Sequence, residues 1–277
     1  MQTLRTVSRA VRRMVESADG WSLVQRFMLR ACGVVMSDEQ RYLLDARLGP
    51  VARQHGFASV RAFVESACAE RPGEPYARWL VEAMTTHETF FFRDAAFWRA
   101  FDTIVLPRLF TRERTAPVRI WSAACSTGQE AYSVAMAFAE HGAAALDALE
   151  LVATDVAEPS LERAREGVFS ALEVSRGLGA DRLARHFEPC EGGYRIKERL
   201  RRAVRWEVHN LLGSAPYPPR QDVVLCRNVL IYFGDRDRAE VVRRLFDAGV
   251  PGAFVGVGST EVVKGRAIAP GWFVRES

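Results

Sequence analysis

Four stretches of the chain place chemistry-bearing side chains among small or apolar neighbours. Thr85 to Asp94 sets Thr89 and Arg93 four residues apart, so on a helix they would share one face and converge on one ligand. Ala124 to Glu130 is a small-residue turn that lets a bound group come close to the backbone. Gly128 is its only glycine and it has no lysine, which argues against both a dinucleotide fingerprint and a P-loop. Asp155 stands 25 residues beyond Glu130, where an acid can accept hydrogen bonds from both hydroxyls of a ribose. It would serve equally as the cap of a following helix. In Cys226 to Phe233 the polar pair Arg227-Asn228 abuts an apolar run, a costly arrangement unless both find partners or a ligand. A nucleoside without phosphates suits these parts best.

The elements that must position these groups change character along the chain. Residues 22–84 repeat apolar positions at three and four, in Leu23 to Ala31, Tyr42 to Leu48 and Val60 to Ala69. Gly49-Pro50, Gly56 and Pro72-Gly73-Glu74-Pro75 are the expected breaks, so this part reads as a small helical bundle. From about residue 117, strands alternate with helices, the pattern of a mostly parallel sheet with crossover helices. The expected strands are Val118 to Ala124, Leu149 to Thr154, Asp222 to Cys226 and Ala253 to Val257. The expected helices are Gln129 to His141, Pro159 to Glu166 and Arg236 to Ala248. Tyr194 to Ile196 and Val204 to Val208 read as a short antiparallel insert, and Phe91 and Phe92 as core anchors joining two domains. In an open sheet of this kind, ligands bind beyond the carboxyl ends of the strands, which is where three of the four stretches fall.

Composition narrows the partners. The 277 residues are 48% apolar and 26% charged, ordinary for a globular chain, and the net charge of +4 is too mild for a nucleic-acid footprint. The longest apolar runs fall far short of the ~18 residues of a membrane span. Five widely spaced cysteines without a C-x-x-C suggest neither a disulfide framework nor a zinc site, and no metal is expected, so a reducing cytoplasm fits. Residues 1–21 place Leu4, Val7, Val11, Met14 and Val15 on one face of a basic amphipathic helix, read as an extension rather than a targeting segment. Residues 1–84 hold twelve arginines against nine acids, either an ordinary solvated surface or a docking face for an acidic partner.

Taken together, these residues resemble the CheR family of chemotaxis receptor methyltransferases. The family pattern T-T-N-x-T-x-F-F-R is matched by Thr85 to Arg93 and W-S-A-A-x-S-T-G-E-E-P-Y-S by Trp121 to Ser133. Its strand-ending acid is matched by Asp155, its N-L step by Asn210-Leu211 and C-R-N-V-x-I-Y-F by Cys226 to Phe233. The resemblance runs from about residue 22 to 262. It implies an α/β fold with a small N-terminal helical bundle over 22–84 that docks receptors. A Rossmann-like methyltransferase domain over 85–277 would follow, with the antiparallel insert at about 185–209.

The resemblance further implies transfer of a methyl group from S-adenosylmethionine to glutamate side chains in the cytoplasmic domain of methyl-accepting receptors, with no nucleic acid and no membrane insertion. His87, Thr89, Arg93, Glu130, Asp155, Asn210, Leu211, Asn228 and Val229 would line the cofactor pocket, with Asp155 on the ribose and Asn210-Leu211 beside the adenine. Arg93 and Tyr232 would flank the methyl group; Arg93 would hold either the substrate carboxylate or the cofactor's own. His87, Gln129 and Ala131 depart from the pattern, standing where the family has Asn, Glu and Pro. His87 is either a neutral, hydrogen-bonded replacement for the Asn amide or a charge facing the cofactor's cation; in the second case acid weakens binding and His87→Asn flattens the pH profile. Members that use a peptide tether at the receptor's end carry a longer insert, so no binding of such pentapeptides is expected here. Two other readings share these residues: a methyltransferase for another substrate class, and a non-catalytic adaptor that binds the same cofactor.

Overall fold

The computed structural model describes residues 19–110, 116–261 and 263–276. The helix expected over residues 4–15 lies outside them. The chain divides into two compact units, Met1–Thr86 and His87–Ser277.

In the first unit, helices α1 (Gly20–Cys32), α2 (Leu43–Gln54), α3 (Val60–Ala69) and α4 (Pro75–Met84) follow the apolar periodicity. Asp19 caps α1 by accepting from the Ser22 amide at 2.8 Å, and Ser59 caps α3 through the Ala62 amide at 3.1 Å. Trp21, Val24, Phe27, Met28 and Ala31 form the buried stripe of α1. The expected break at Gly49-Pro50 is corrected: α2 runs through Pro50. Pro50 forfeits one backbone hydrogen bond there, and the burial of Leu48 and Ala52 on either side outweighs that loss. From the same helix, Arg47 donates to the Met84 and Thr85 carbonyls at 3.3 and 2.9 Å, closing the end of α4.

The second unit is built on β1 (Val118–Ala123), β2 (Leu149–Asp155), β3 (Val168–Phe169), β4 (Phe187–Cys190), β5 (Gly193–Ile196), β6 (Val204–Val208), β7 (Gln221–Cys226), β8 (Gly249–Val257), β9 (Arg266–Ala269) and β10 (Trp272–Val274). Seven of these form one sheet in the order β6-β2-β1-β7-β8-β10-β9, parallel from β6 to β8, with β10 antiparallel to both neighbours. Alternate residues serve the two faces. Ile120, Leu151 and Val223 join one core, and Trp121, Val152 and Val224 the other. Helix α5 (Gln129–His141) is buried almost all round in the first core. On the other face, α6 (Asp235–Ala248) buries Val241, Leu245 and Ala248.

Val204–Val208 is a correction. It does not belong to the antiparallel insert but lies parallel to β2, with Leu151 opposite Val204 and Asp155 opposite Val208. A half-exposed alternation reads the same on a sheet edge as in a hairpin, and only the distant partner decides between them. The small antiparallel sheet is β3-β5-β4, so the insert begins at Val168, well before 185.

Candidate active site

The chain fills β1, β2 and β6 on one side and then returns to add β7 and β8 on the other, so the order reverses between β1 and β7. That switch point is where an open parallel sheet leaves a crevice. Register brings the loops level: Ala123 lies opposite Thr154 and Cys226, and Cys226 opposite Val257. The stretches after β1, β2, β6, β7 and β8 therefore open at one edge.

The loop after β1 turns sharply through three left-handed residues, Ala124 (φ 56°), Ser126 (φ 51°) and Gly128 (φ 92°). A side chain at Gly128 would also meet Trp206 and the Ala164 methyl at under 3 Å. Asp155 anchors this turn. Its Oδ2 accepts the Ser126 amide at 2.8 Å and its Oδ1 the Ala157 amide at 2.9 Å. The reading of Asp155 as a helix cap meets a different arrangement, because the helix Glu158–Glu166 is capped at Ala157 and Asp155 bridges two loops. A carboxylate has about four acceptor positions, and with the Val156 amide also directed at it some acceptor capacity is left for a ligand. Burial pushes the Asp155 carboxyl above its ordinary range, opposed by the Ala157 and Ser126 amides and by the charge of His87.

The Thr85 to Asp94 segment is not helical, which corrects the expectation that Thr89 and Arg93 share a helix face. α4 ends at Met84, and Phe92 and Asp94 take left-handed conformations. The reason is packing in two directions: Phe91 meets Phe169 and Phe187 edge-on, while Phe92 meets Trp98. Both rings are thus core residues of the second unit itself. The segment is tied down by the Phe92 amide donating to Ser133 Oγ at 3.0 Å and by Ser126 Oγ donating to the His87 carbonyl at 3.2 Å. Nδ1 of His87 lies 3.1 Å from Ser160 Oγ. Arg93 donates to the Glu88 carbonyl at 2.7 Å, and Thr89 is half-buried beside it in sequence.

Arg227 is the group the sequence left unassigned. It is buried, with its side chain 2% exposed, and donates to Glu130 Oε2 at 3.0 Å, to Asp94 Oδ2 at 2.8 Å and to the Arg93 carbonyl at 2.8 Å. Its guanidinium lies 4.0 Å from the Phe97 ring. Glu130 also accepts from Ser122 Oγ at 2.7 Å, so it is held before any ligand arrives. Glu261 was missed too. It accepts the amides of Asn228, Leu230 and Gly258 at 2.7–2.8 Å and so shapes the turn bearing Asn228 (φ 59°), Val229 and Tyr232. Its place after the last parallel strand, at the same sheet edge, was the one sequence cue; the Leu230 and Asn228 amides it caps lie 31 and 33 residues back.

The loop after β6 is braced. His209 donates its amide to the Asp155 carbonyl at 2.9 Å, which brings Asn210-Leu211 beside Asp155. Asn210 Oδ1 accepts the Leu212 amide at 3.0 Å, Leu211 is buried, and its carbonyl accepts from Tyr217 Oη and Arg244. The His209 ring packs edge-on against Trp121 and Tyr217, and its Nε2 is buried without a hydrogen-bond partner. The donor set fits a nucleoside without phosphates: one buried carboxylate with acceptor capacity left, an apolar wall at Leu211, and no cation in the Ala124–Gly128 turn.

The comparisons agree with this geometry. Residues 87–270 match the protein family described as CheR methyltransferase, SAM binding domain. A chemotaxis protein methyltransferase of Pseudomonas putida is 34% identical over 244 residues, 86% of this chain and 88% of that one. Relatives of the same description in Pseudomonas aeruginosa and Vibrio parahaemolyticus are also 34% identical, covering 88% and 87% of this chain and 90% and 88% of theirs. With a crevice at the switch point and this similarity along most of its length, the chain belongs to the CheR methyltransferase family.

Proposed function

We propose that this protein transfers a methyl group from S-adenosylmethionine to glutamate carboxylates of chemotaxis receptors. The observation that carries the reading is Asp155, a buried carboxylate held by backbone amides at the switch point with acceptor capacity left for a ligand. The cofactor supplies an electrophilic methyl group on a sulfonium. Asp155 would hold its ribose, Asn210 and Leu211 its adenine, and His87, Thr89, Glu130, Asn228 and Val229 would complete the wall.

A glutamate carboxylate, with a pKa of ~4.3, is already ionised near neutral pH, so the substrate needs no general base. The chain's task is then orientation and exclusion of water, which can lower a barrier by roughly 7–11 kcal/mol. Arg93 and Tyr232 would hold the substrate carboxylate in line. Arg227 and Glu261 act behind them, one on the Arg93 carbonyl and the other on the turn that carries Tyr232. Receptor docking falls to the helical unit over 22–84, whose arginines suit acidic helices. Among the described residues no helix is long and apolar enough to cross a membrane. A receptor's cytoplasmic part as substrate would have the enzyme work in the cytoplasm.

Incubation with methyl-labelled S-adenosylmethionine and receptor-rich membranes is expected to yield label that base releases as methanol, the mark of a glutamyl methyl ester. Base-stable label would point to another acceptor, and binding without transfer to an adaptor. A receptor-tether pentapeptide is expected to give no measurable heat on titration. The turn from β4 to β5 is only Glu191-Gly192, which leaves little loop to receive a peptide. A micromolar binding curve would overturn this.

A further inference from the structure

One charged cluster at the mouth of the second unit has no part in the scheme above. Arg176 follows the short helix Ala171–Ser175 and donates from Nη2 to Glu88 Oε1 at 3.0 Å. Its guanidinium lies 4.9 Å from the Phe90 ring centroid, and that of Arg93 lies 5.6 Å from the same ring. Two cations thus share one aromatic ring; one of them, Arg93, is the residue assigned to the substrate carboxylate, and the other, Arg176, meets a carboxylate of the chain itself, Glu88.

Local structure fixes the backbone under Arg176. Ser170 and Glu173 form a reciprocal capping box at the start of the helix, and Arg163 bonds Glu173 from outside at 3.3 Å. Gly177 (φ 81°) lies so close that a Cβ there would sit 1.9 Å from the Phe91 carbonyl oxygen, so only glycine lets this loop rest on the Phe91 backbone. The charged tips remain in water, with side chains 48% exposed at Arg176 and 60% at Glu88. Leu172, one turn earlier, is 73% exposed and adds an apolar contact beside them.

An exposed ion pair is screened and contributes little, so a carboxylate brought by another molecule can replace Glu88 at small cost. The ring, by contrast, keeps the guanidinium oriented whichever carboxylate it meets. We propose that Arg176 determines substrate specificity by reading a second carboxylate, one helical turn from the glutamate that is methylated, and that Glu88 is the place-holder it releases. The substrate class that follows is an acidic helix with carboxylates spaced three or four residues apart. This rests on the methyltransferase reading above.

The test uses a chemoreceptor cytoplasmic fragment with one methylatable glutamate, in an acidic version and a version with glutamine at the positions one turn away. Arg176→Gln is expected to raise KM about tenfold for the acidic version only, with kcat and the affinity for S-adenosylhomocysteine changed less than twofold. Glu88→Gln should lower KM for the acidic version, because a competitor is removed, and the double variant should behave as Arg176→Gln alone. Arg176→Lys should recover part of the loss, since it restores the charge without the planar fork. Equal KM changes on both fragments, or a fall in cofactor affinity, would give Arg176 a structural role and sink the proposal. A rise in KM with Glu88→Gln would make Glu88 a strut instead of a place-holder. If the wild-type protein methylates neither fragment, the methyltransferase reading fails first and takes this inference with it.

Discussion

Replacing Arg227 with methionine is expected to destabilise the second unit by about 3–5 kcal/mol, the typical cost of removing one partner from a buried ion cluster. The stranded groups are Glu130, whose side chain is 11% exposed, and Asp94 at 32%. Methionine matches much of the arginine's length, so the loss reports charge and hydrogen bonding more than volume. Each kcal/mol corresponds to roughly 2–4 °C in a unit of this size, so the melting temperature should fall by about 6–20 °C.

Activity should fall further than stability accounts for, since Arg227 also holds the Arg93 carbonyl. The control is a triple variant, Arg227→Met with Glu130→Gln and Asp94→Asn, which removes the orphaned charges. It should recover most of the stability without recovering activity. Arg227→Lys should restore little, because a point charge cannot serve three acceptors in different directions and stack on Phe97. Denaturant unfolding together with cofactor titration checks this. A single variant that melts like wild type would show that the cluster carries no net stabilisation.

Asp155→Ala is expected to weaken binding of S-adenosylmethionine and S-adenosylhomocysteine by about 1.5–3 kcal/mol, on the order of ten- to a hundredfold, through loss of charge-assisted hydrogen bonds. The pH dependence follows from the raised pKa of this carboxyl. Binding uses the ionised form, so affinity is full above the raised value and is lost as pH falls through it. The unliganded fold has the opposite sign: burial favours the protonated acid, so this group subtracts stability as pH rises through its folded pKa.

His87 has a second effect that runs counter to repulsion of the cofactor's cation. Its charge lowers the Asp155 pKa, so His87→Asn removes a group that favours the ionised acid. The loss of affinity in acid should begin at higher pH in His87→Asn instead of flattening. Calorimetric titrations of wild type and both variants across the acid range decide this. Identical wild-type and His87→Asn profiles would leave His87 a neutral replacement for asparagine.

Much of this site was legible from the chain because its signals are local. Helix α3 was expected at the bounds it has, as was α5, whose all-round apolar content is itself a sign of burial. β1, β2, β7 and β8 were bracketed by turn residues, and examining the residue after each strand found Asp155 and the Ala124–Gly128 turn. The motif order needed nothing beyond the sequence.

Other features rest on partners far away along the chain, and these only the tertiary structure decided. Val204–Val208 alternates like any half-exposed strand, and its place beside β2 depends on pairing some fifty residues back. Pro50 stays inside a helix because burial on both sides outweighs one lost hydrogen bond. Thr85 to Asp94 gave up helical geometry because Phe91 and Phe92 are claimed by separate ring clusters. Arg227 meets Glu130 and Asp94 across 97 and 133 residues, and Glu261 reaches back 31 and 33 residues to the amides it caps. Periodicity and turn chemistry act over one or two turns of chain. The charge network and the parallel register arise only when strands distant in sequence are brought level, which is why the residues that set the geometry behind the site were the hardest to read.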